Sequence, residues 1–376
     1  MTLQRICDPM LPELSRLFNA PISEASRVVS FFAITYGLMQ LFYGPVGDRF
    51  GKFRVVMLAT MGCSAGSLLS AFSADLPFLV AARVGTALAA AAIIPLSLAW
   101  VGDVVHYEHR QETLARVGLG TMLGITAGQL LGGLLTDTLG WRWAFGLMAV
   151  AFATVSFLLG QQLKHMDDTA HPAHAPTSFL KQLQQVAYNP WARTFLCITL
   201  IEGATVFGVL AVTAAHLHHV HQISLTLAGG TTALFGLGGM AYMGTAKITI
   251  RRFGEVGLAR YGGISFGAAF LVIAFAPWWQ LALPACFVAG FAFAMFHNTM
   301  QAKATQLVPT ARGTGVTLFA GFLFLGQSLG VLVLAELLNH FNSPLILGAD
   351  AVVVSVMGIF LSRAIAKRNA TQADHA

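Results

Sequence analysis

Charge is what this chain has least of. Asp, Glu, Lys and Arg make up only 10% of its 376 residues, whereas 56% are hydrophobic and the mean hydropathy is +0.69. A water-soluble globule carries about 25% charged residues, so the chain is excluded from that class and reads as a polytopic membrane protein. Cysteine is scarce as well. Cys7, Cys63, Cys197 and Cys286 lie far apart and form no Cys-x-x-Cys pair, which leaves no disulfide framework or thiolate metal site and makes them reduced packing residues. The sequence has no Gly-x-x-x-x-Gly-Lys-Ser/Thr loop and no His-Glu-x-x-His site. Built-in ATP drive is therefore excluded and an enzyme is not expected. Basic clusters are lacking too: the net charge is +6, but the bases are scattered through short turns, so nucleic acid is not an expected partner. No basic leader with a short apolar core precedes a small-residue cleavage site, and no cleaved signal is expected.

Long apolar runs are what the chain does have. A bilayer core of about 30 Å takes about 20 apolar residues per helix. Eleven segments qualify, at roughly 27–47, 54–74, 77–102, 112–136, 142–163, 191–216, 224–246, 257–276, 280–302, 312–338 and 344–363. Lipid leaves unpaired backbone groups unsatisfied and the alternation of a barrel is absent, so the expected fold is an all-α membrane protein. A polar stretch at 164–190, with Asp167, Asp168, His165, His171, His174, Pro172 and Pro176, reads as a cytoplasmic linker. It divides a helical bundle at 1–163 from a second at 191–368, with a polar tail at 369–376.

Orientation follows from the bases. If the turn at 48–54 is cytoplasmic, seventeen of the 22 Lys and Arg lie on that side, and only Arg5, Arg16, Arg27 and Arg142 on the other. The positive-inside rule then puts the carboxyl terminus in the cytoplasm. Five full spans precede the linker and six follow it. The stretch Asp8-Pro9-Met10-Leu11-Pro12-Glu13 is accordingly expected to be the outer end of a first helix whose earlier turns are missing.

The turn Gly44-Pro45-Val46-Gly47-Asp48-Arg49-Phe50-Gly51-Lys52-Phe53-Arg54 packs one acid and three bases between two apolar segments. It resembles the loop between the second and third helices of the major facilitator superfamily, roughly Gly-x-x-x-Asp-Arg-x-Gly-Arg/Lys-x-Arg/Lys. The resemblance runs from Asp8 to Arg368 and implies two pseudo-symmetric bundles, with twelve helices in the family, rocking about a central site. Internal repeats agree with it. Arg49-Phe50-Gly51 returns as Arg252-Phe253-Gly254, and Gly128-Gln129-Leu130-Leu131-Gly132 as Gly326-Gln327-Ser328-Leu329-Gly330. The resemblance assigns gating to Gly44, Asp48, Arg49, Gly51, Lys52 and Arg54, with Asp48 meeting the amino end of the eleventh family helix near Thr310 and Arg312. In the second half Arg251 fills the slot of Asp48, and the latch is expected to be lost there.

Other residues carry candidate roles inside the membrane. Arg83 is a charge within an apolar helix, which marks it as functional. It resembles the fourth-helix arginine of proton-coupled members, with Ala87 in place of a glycine. Gly124, Gly128, Gly132 and Gly133, extended by Gly120, form a small-residue face for close helix contact. They resemble the fifth-helix antiporter motif, with Gln129 replacing its proline. Glu202 is a carboxylate near the middle of a span and the leading protonation site. His297 titrates near neutrality and can share that role. Tyr36, Gln40, Gln129, Asn298, Gln301 and Gln327 are further polar cavity candidates. His216, His218, His219 and His221 cluster beside Gln222 in what reads as a solvated outer loop, where no carboxylate or cysteine completes a metal set. No metal or cofactor is expected.

The sum is a secondary transporter in the inner cell membrane, acting as a monomer by alternating access. Proton-coupled efflux of a small amphipathic molecule or metabolite is the leading expectation, and sugar or organic-acid symport the alternative. A non-transporting sensor or inactive truncated paralogue is the alternative of another class.

Overall fold

The computed structural model describes residues 1–164, 186, 188–307 and 312–373. The expected linker and tail fall largely outside them, and Thr310 does so entirely. Among the described residues there are helices and no strand. The helices are α1 (Thr2–Arg5), α2 (Leu11–Leu17), α3 (Ile22–Ala25), α4 (Arg27–Phe50), α5 (Lys52–Ala71), α6 (Leu76–Ala90), α7 (Ile93–Val104), α8 (Tyr107–Thr138) and α9 (Trp141–Leu163). They continue with α10 (Pro190–Glu202), α11 (Gly208–His221), α12 (Leu225–Phe275), α13 (Ala282–Ala304), α14 (Arg312–Leu337) and α15 (Ser343–Ala373). A 3₁₀ turn at Asp8–Met10 links α1 to α2, and a π-turn at Gly203–Phe207 links α10 to α11.

Local chemistry explains where these helices begin. The Asp75 carboxylate accepts from the Phe78 amide at 2.7 Å, and Asn189 accepts from the amides of Trp191 and Ala192 at 3.0 and 3.3 Å. Each supplies an acceptor to first-turn amides that have no partner within the helix, just ahead of a proline in the first turn. Inside the spans, hydroxyls turn back on their own helix: Thr60, Ser70, Thr86, Thr199 and Thr213 each donate to the carbonyl four residues earlier. Such back-bonding lets a polar side chain sit in apolar surroundings without an outside partner.

Among the described residues ten helical segments are long and apolar enough to cross a membrane, one fewer than the eleven segments read from sequence. The difference lies in α12, whose 51 residues are two helices that meet at a kink, where Gly254 is non-helical at φ 59°, ψ 178°. That conformation is open essentially to glycine alone. It breaks α12 into two stretches that match the segments expected at 224–246 and 257–276. The equivalent point of the first half is Gly51, at φ 86°, ψ 123°, between α4 and α5. In both places the preceding arginine stacks on the preceding phenylalanine, Arg49 on Phe50 at 5.3 Å and Arg252 on Phe253 at 5.6 Å. The repeated Arg-Phe-Gly string is thus a repeated turn.

Buried apolar side chains form two large clusters. One is built mainly from residues before 150 and the other mainly from residues after 186. The halves meet where α8 lies along α12 and where α4 lies along α14. Asp137 on α8 accepts from both the amide and the hydroxyl of Thr226, at 2.5 and 2.7 Å, and Asn339 donates to Ser23 at 3.0 Å.

The first seventeen residues form helical turns at Thr2–Arg5, Asp8–Met10 and Leu11–Leu17. They are folded into the first half, with Arg5 and Asp8 almost wholly buried. Arg5 therefore does not belong among the loop bases of that side. The glycines of α8 explain the placement. A Cβ on Gly128 would press on the Thr2 carbonyl, and one on Gly132 on the Ile6 carbonyl. In the second half, a Cβ on Gly326 would press on the Leu200 carbonyl and one on Gly330 on the Ala204 carbonyl. Each pair of equivalents is 198 residues apart, the spacing of the repeated Gly-Gln string. Residues 2–6 thus occupy in the first half the position that 200–204 occupy in the second.

Gly120 was expected to extend this face, but nothing lies within 4 Å of where its Cβ would be. We expect Gly132→Ala to lower thermal stability by about 1–3 kcal/mol, the usual cost of overpacking. Gly120→Ala should change it by less than about 0.5 kcal/mol. Thermal unfolding of the two variants in detergent checks the contrast, and equal effects would refute the register.

Candidate functional site

One cluster of buried polar groups lies where the halves meet. Asp8 has no solvent exposure and receives Arg5 Nη1 at 3.2 Å and Gln129 Nε2 at 2.9 Å on a single oxygen, Oδ2. Its other oxygen has no partner. Gln129, which stands where the antiporter motif has proline, also accepts from Thr232 of α12 at 3.1 Å through its side-chain oxygen. Gln4 donates to Gln327 of α14 at 2.9 Å. The two repeat-related glutamines, Gln129 and Gln327, therefore both hold the segment 4–8, one from each half. Arg5 also reaches across, donating to the Phe207 carbonyl at 3.4 Å with its guanidinium 4.5 Å from the Phe207 ring.

The second half has its own carboxylate. Glu202, the last residue of α10, is wholly buried and bonds His297 Nδ1 of α13 through Oε1 at 2.8 Å, while Oε2 has no partner. The His297 ring is packed between Phe293 at 4.8 Å and Phe319 at 5.4 Å. Sequence reasoning placed both Glu202 and His297 in spans but had no means of joining them, since their helices are 95 residues apart. At the spacing of 198 the equivalent of Glu202 is Gln4, an uncharged side chain in the matching position. The acid of the first half sits one turn further on, at Asp8.

Arg83 is also wholly buried, and no carboxylate bonds it. Its Nε donates to the Val28 carbonyl at 3.3 Å, its guanidinium lies 4.1 Å from the Phe32 ring and 5.9 Å from the Phe145 ring, and Nη1 and Nη2 have no hydrogen-bond partner. The aromatic faces supply what stabilisation its charge receives. Tyr36 and Gln40 lie one turn apart on the buried side of α4, and the Tyr36 ring meets Phe324 of the other half edge-on at 4.7 Å. Asn298 is half-buried next to His297 on α13.

The turn between α4 and α5 is organised within its own half. Lys52 bridges Asp48 at 3.2 Å and Asp103, at the end of α7, at 2.6 Å. Arg49 and Arg54 are exposed, and no side chain approaches Gly44. The partner expected for Asp48 near Thr310 lies outside the described residues. In the second half Glu255 occupies the slot of Lys52 and bridges Lys303 at 2.6 Å. The same bridge is thus built twice with its charges exchanged, and Arg251 in the slot of Asp48 continues the exchange. The Lys52 pairs are partly exposed and such pairs are worth about 0–1 kcal/mol each, so they are adjustable ties rather than anchors, whereas Lys303 is buried at its bridge.

Two sequence features resolve into packing. The histidines lie on helix α11 rather than in a loop, and His216 is buried between the Ser343 hydroxyl at 2.8 Å and the Ile273 carbonyl at 3.1 Å. Among the described residues no cluster suits a metal. Three Gly-x-Ser-x-Gly strings, at 62–66, 263–267 and 326–330, all lie inside helices. None forms the strand-to-helix turn of a nucleophile elbow.

The sequence profile of the Major Facilitator Superfamily matches residues 2–331. A probable sugar efflux transporter of Pasteurella multocida is 22% identical over 357 residues, covering 94% of this chain and 85% of that protein. The uncharacterized MFS-type transporter YwfA of Bacillus subtilis is also 22% identical, over 81% of this chain and 72% of its own. Among solved structures, the nucleoside transporter NupG superposes with a TM-score of 0.76 at 15% identity, covering 97% of this chain and 94% of its own. A bacterial homolog of the human lysosomal transporter Spinster, inward-facing and unoccupied, gives 0.74 at 16% identity, covering 97% and 94%.

The buried pair supplies a test of these contacts. Arg5→Met leaves Asp8 without its cation and should cost about 3–5 kcal/mol. Arg5→Met combined with Asp8→Leu removes both charges and should cost less than the single change. Thermal unfolding of both variants measures the difference, and a double variant weaker than the single one would show that the pair is not coupled.

Proposed function

The chain belongs to the major facilitator superfamily and is a secondary transporter spanning the membrane many times, and we propose that it exports a small amphipathic molecule or metabolite in exchange for protons. The observation that carries this reading is the Glu202–His297 pair. A carboxylate buried in a span, held by an imidazole on one oxygen and unpartnered on the other, suits a group that takes up and releases a proton as its surroundings change. The two bundles, 1–163 and 191–368, then rock about the polar centre while the ties at Asp48, Lys52 and Asp103 form and break. Seventeen bases on the side of the Gly51 turn support a cytoplasmic carboxyl terminus in an inner cell membrane, with the chain working as a monomer.

A sugar is a second reading for the substrate. Relatives named as probable sugar efflux transporters match most of the chain. The amides of Gln4, Gln129 and Gln327 lie at the interface, and such groups suit hydroxyls, which both donate and accept.

Proteoliposomes holding the full chain and a trapped pH dye provide the experiment, with a panel of monosaccharides and lipophilic organic cations applied across an imposed pH gradient. A transported compound should collapse the gradient in the wild type. Glu202→Gln should abolish that proton flux while leaving exchange of labelled compound at equal concentrations intact. Gradient-driven flux retained in Glu202→Gln would remove the glutamate from the mechanism, and absence of flux for every compound would favour a non-transporting protein.

A further inference from the structure

Glu202 and Phe207 bracket the π-turn, and each is held by a different half of the protein. At one end His297 of the second half bonds Glu202 at 2.8 Å. At the other, Arg5 of the first half bonds the Phe207 carbonyl at 3.4 Å and stacks on its ring at 4.5 Å. The Phe207 ring meets Phe293 edge-on at 5.1 Å, and Phe293 stacks on His297 at 4.8 Å. A closed circuit results, running from Asp8 to Arg5, Phe207, Phe293, His297 and Glu202, and back through the π-turn itself. A π-turn is an irregularity that interconverts with ordinary helix at small cost and recurs at functional positions. Here Gly203 packs on the Leu323 carbonyl and Gly208 on the backbone at Gly330, so the turn cannot shift without moving against α14.

We propose that Arg5 is a positioning residue that carries the protonation of Asp8 across the interface to the π-turn, so that the buried carboxylates Asp8 and Glu202 act as one coupled unit. The proposal rests on the proton-coupled reading above and deepens it. A proton arriving on Asp8 cancels the charge that holds Arg5 at 3.2 Å and leaves the guanidinium anchored by Phe207 alone. Loss of the proton restores the ion pair and draws the contact back. Because Arg5 donates to both partners through the same nitrogen, Nη1, strengthening one bond changes the other. The remaining titratable groups around Asp8 are Met1, Cys7, Cys63 and Arg83 on its own half. Those from the second half are Glu202 and His297 beyond Phe207, and His216 on α11, which is committed to Ser343 and Ile273.

The test reads the movement of the halves directly and needs no substrate. Nitroxide labels are placed at Gln161→Cys and Arg363→Cys, exposed positions near the carboxyl ends of α9 and α15, with exposed Cys197 changed to serine. Pulsed electron resonance on the full chain in lipid nanodiscs then gives the interlabel distance at about pH 5 and about pH 8, which brackets carboxylate and histidine titration in buried sites. The wild type should show a pH-dependent shift in distance. Asp8→Asn, Arg5→Lys and Phe207→Leu should each lose it, the last keeping an apolar side chain at the same place so that the fold survives. A shift unchanged in Phe207→Leu and Arg5→Lys would overturn the role of Arg5 while leaving proton coupling intact. No shift in the wild type would overturn the proton-coupled reading, and the present inference with it. If Arg5→Lys fails to fold, Phe207→Leu decides alone.

Discussion

Close backbone contact between helices, made once in each half, sets the geometry on which the polar centre depends. Gly128 and Gly132 admit the carbonyls of Thr2 and Ile6, and Gly326 and Gly330 admit those of Leu200 and Ala204. In lipid there is no hydrophobic drive between helices, so van der Waals contact and hydrogen bonds must hold them together. Such close contact is available only where side chains are absent. The residue between the glycines then has no choice of direction. Gln129 and Gln327 are carried into the interface, and both grip the segment 4–8. Larger residues at the glycine positions would force these helices apart and leave the glutamines without their partners.

The architecture was legible in the sequence because its signals are compositional. Length and hydropathy locate spans, and the Arg-Phe-Gly and Gly-Gln strings locate the repeat. Gly254 illustrates the limit: the repeat marks it as a turn, yet only the backbone reveals a kink at which the second helix follows the first with no loop between them. The centre was half legible. Glu202, His297, Gln129 and Gln327 stand out as polar residues in apolar runs, but their partners lie on distant helices and no spacing rule joins them. Arg5 was misplaced for a physical reason. A short polar stretch beside the chain's beginning has no long apolar run to mark burial, so it reads as a surface end. The signal that could have placed it was the spacing of 198, which aligns residues 2–6 with 200–204 once the glycine string is fixed.

Exchange of charges between the halves follows from the same duplication. A bridge between the turn after the second helix of a half and the end of its fourth needs one acid and one base, and either order serves. Lys52 with Asp103 and Glu255 with Lys303 are the two orders. Facing each other across a pseudo-two-fold axis, like charges in the two copies would repel whenever the halves approached on that side. Opposite charges attract. Under the rocking motion proposed above, the inversion lets the second copy attract the first, even though Asp48 has become Arg251.

The polar centre also carries unmet hydrogen-bonding capacity. Arg5 Nε, Asp8 Oδ1, Glu202 Oε2 and Gln327 Nε2 are all buried without partners, and each such group costs about 1–3 kcal/mol. A protein selected only for stability in this one arrangement would have replaced them, since buried ion pairs are commonly exchanged for apolar residues at little or no loss. Their position argues for another source of selection. They lie on the segment and the helices that join the halves, where relative movement changes every distance. Groups left unpaired in one arrangement are available to a proton, to a polar substrate or to each other in the next. Under the rocking motion proposed above, a cost borne in one state becomes a driving force for leaving it.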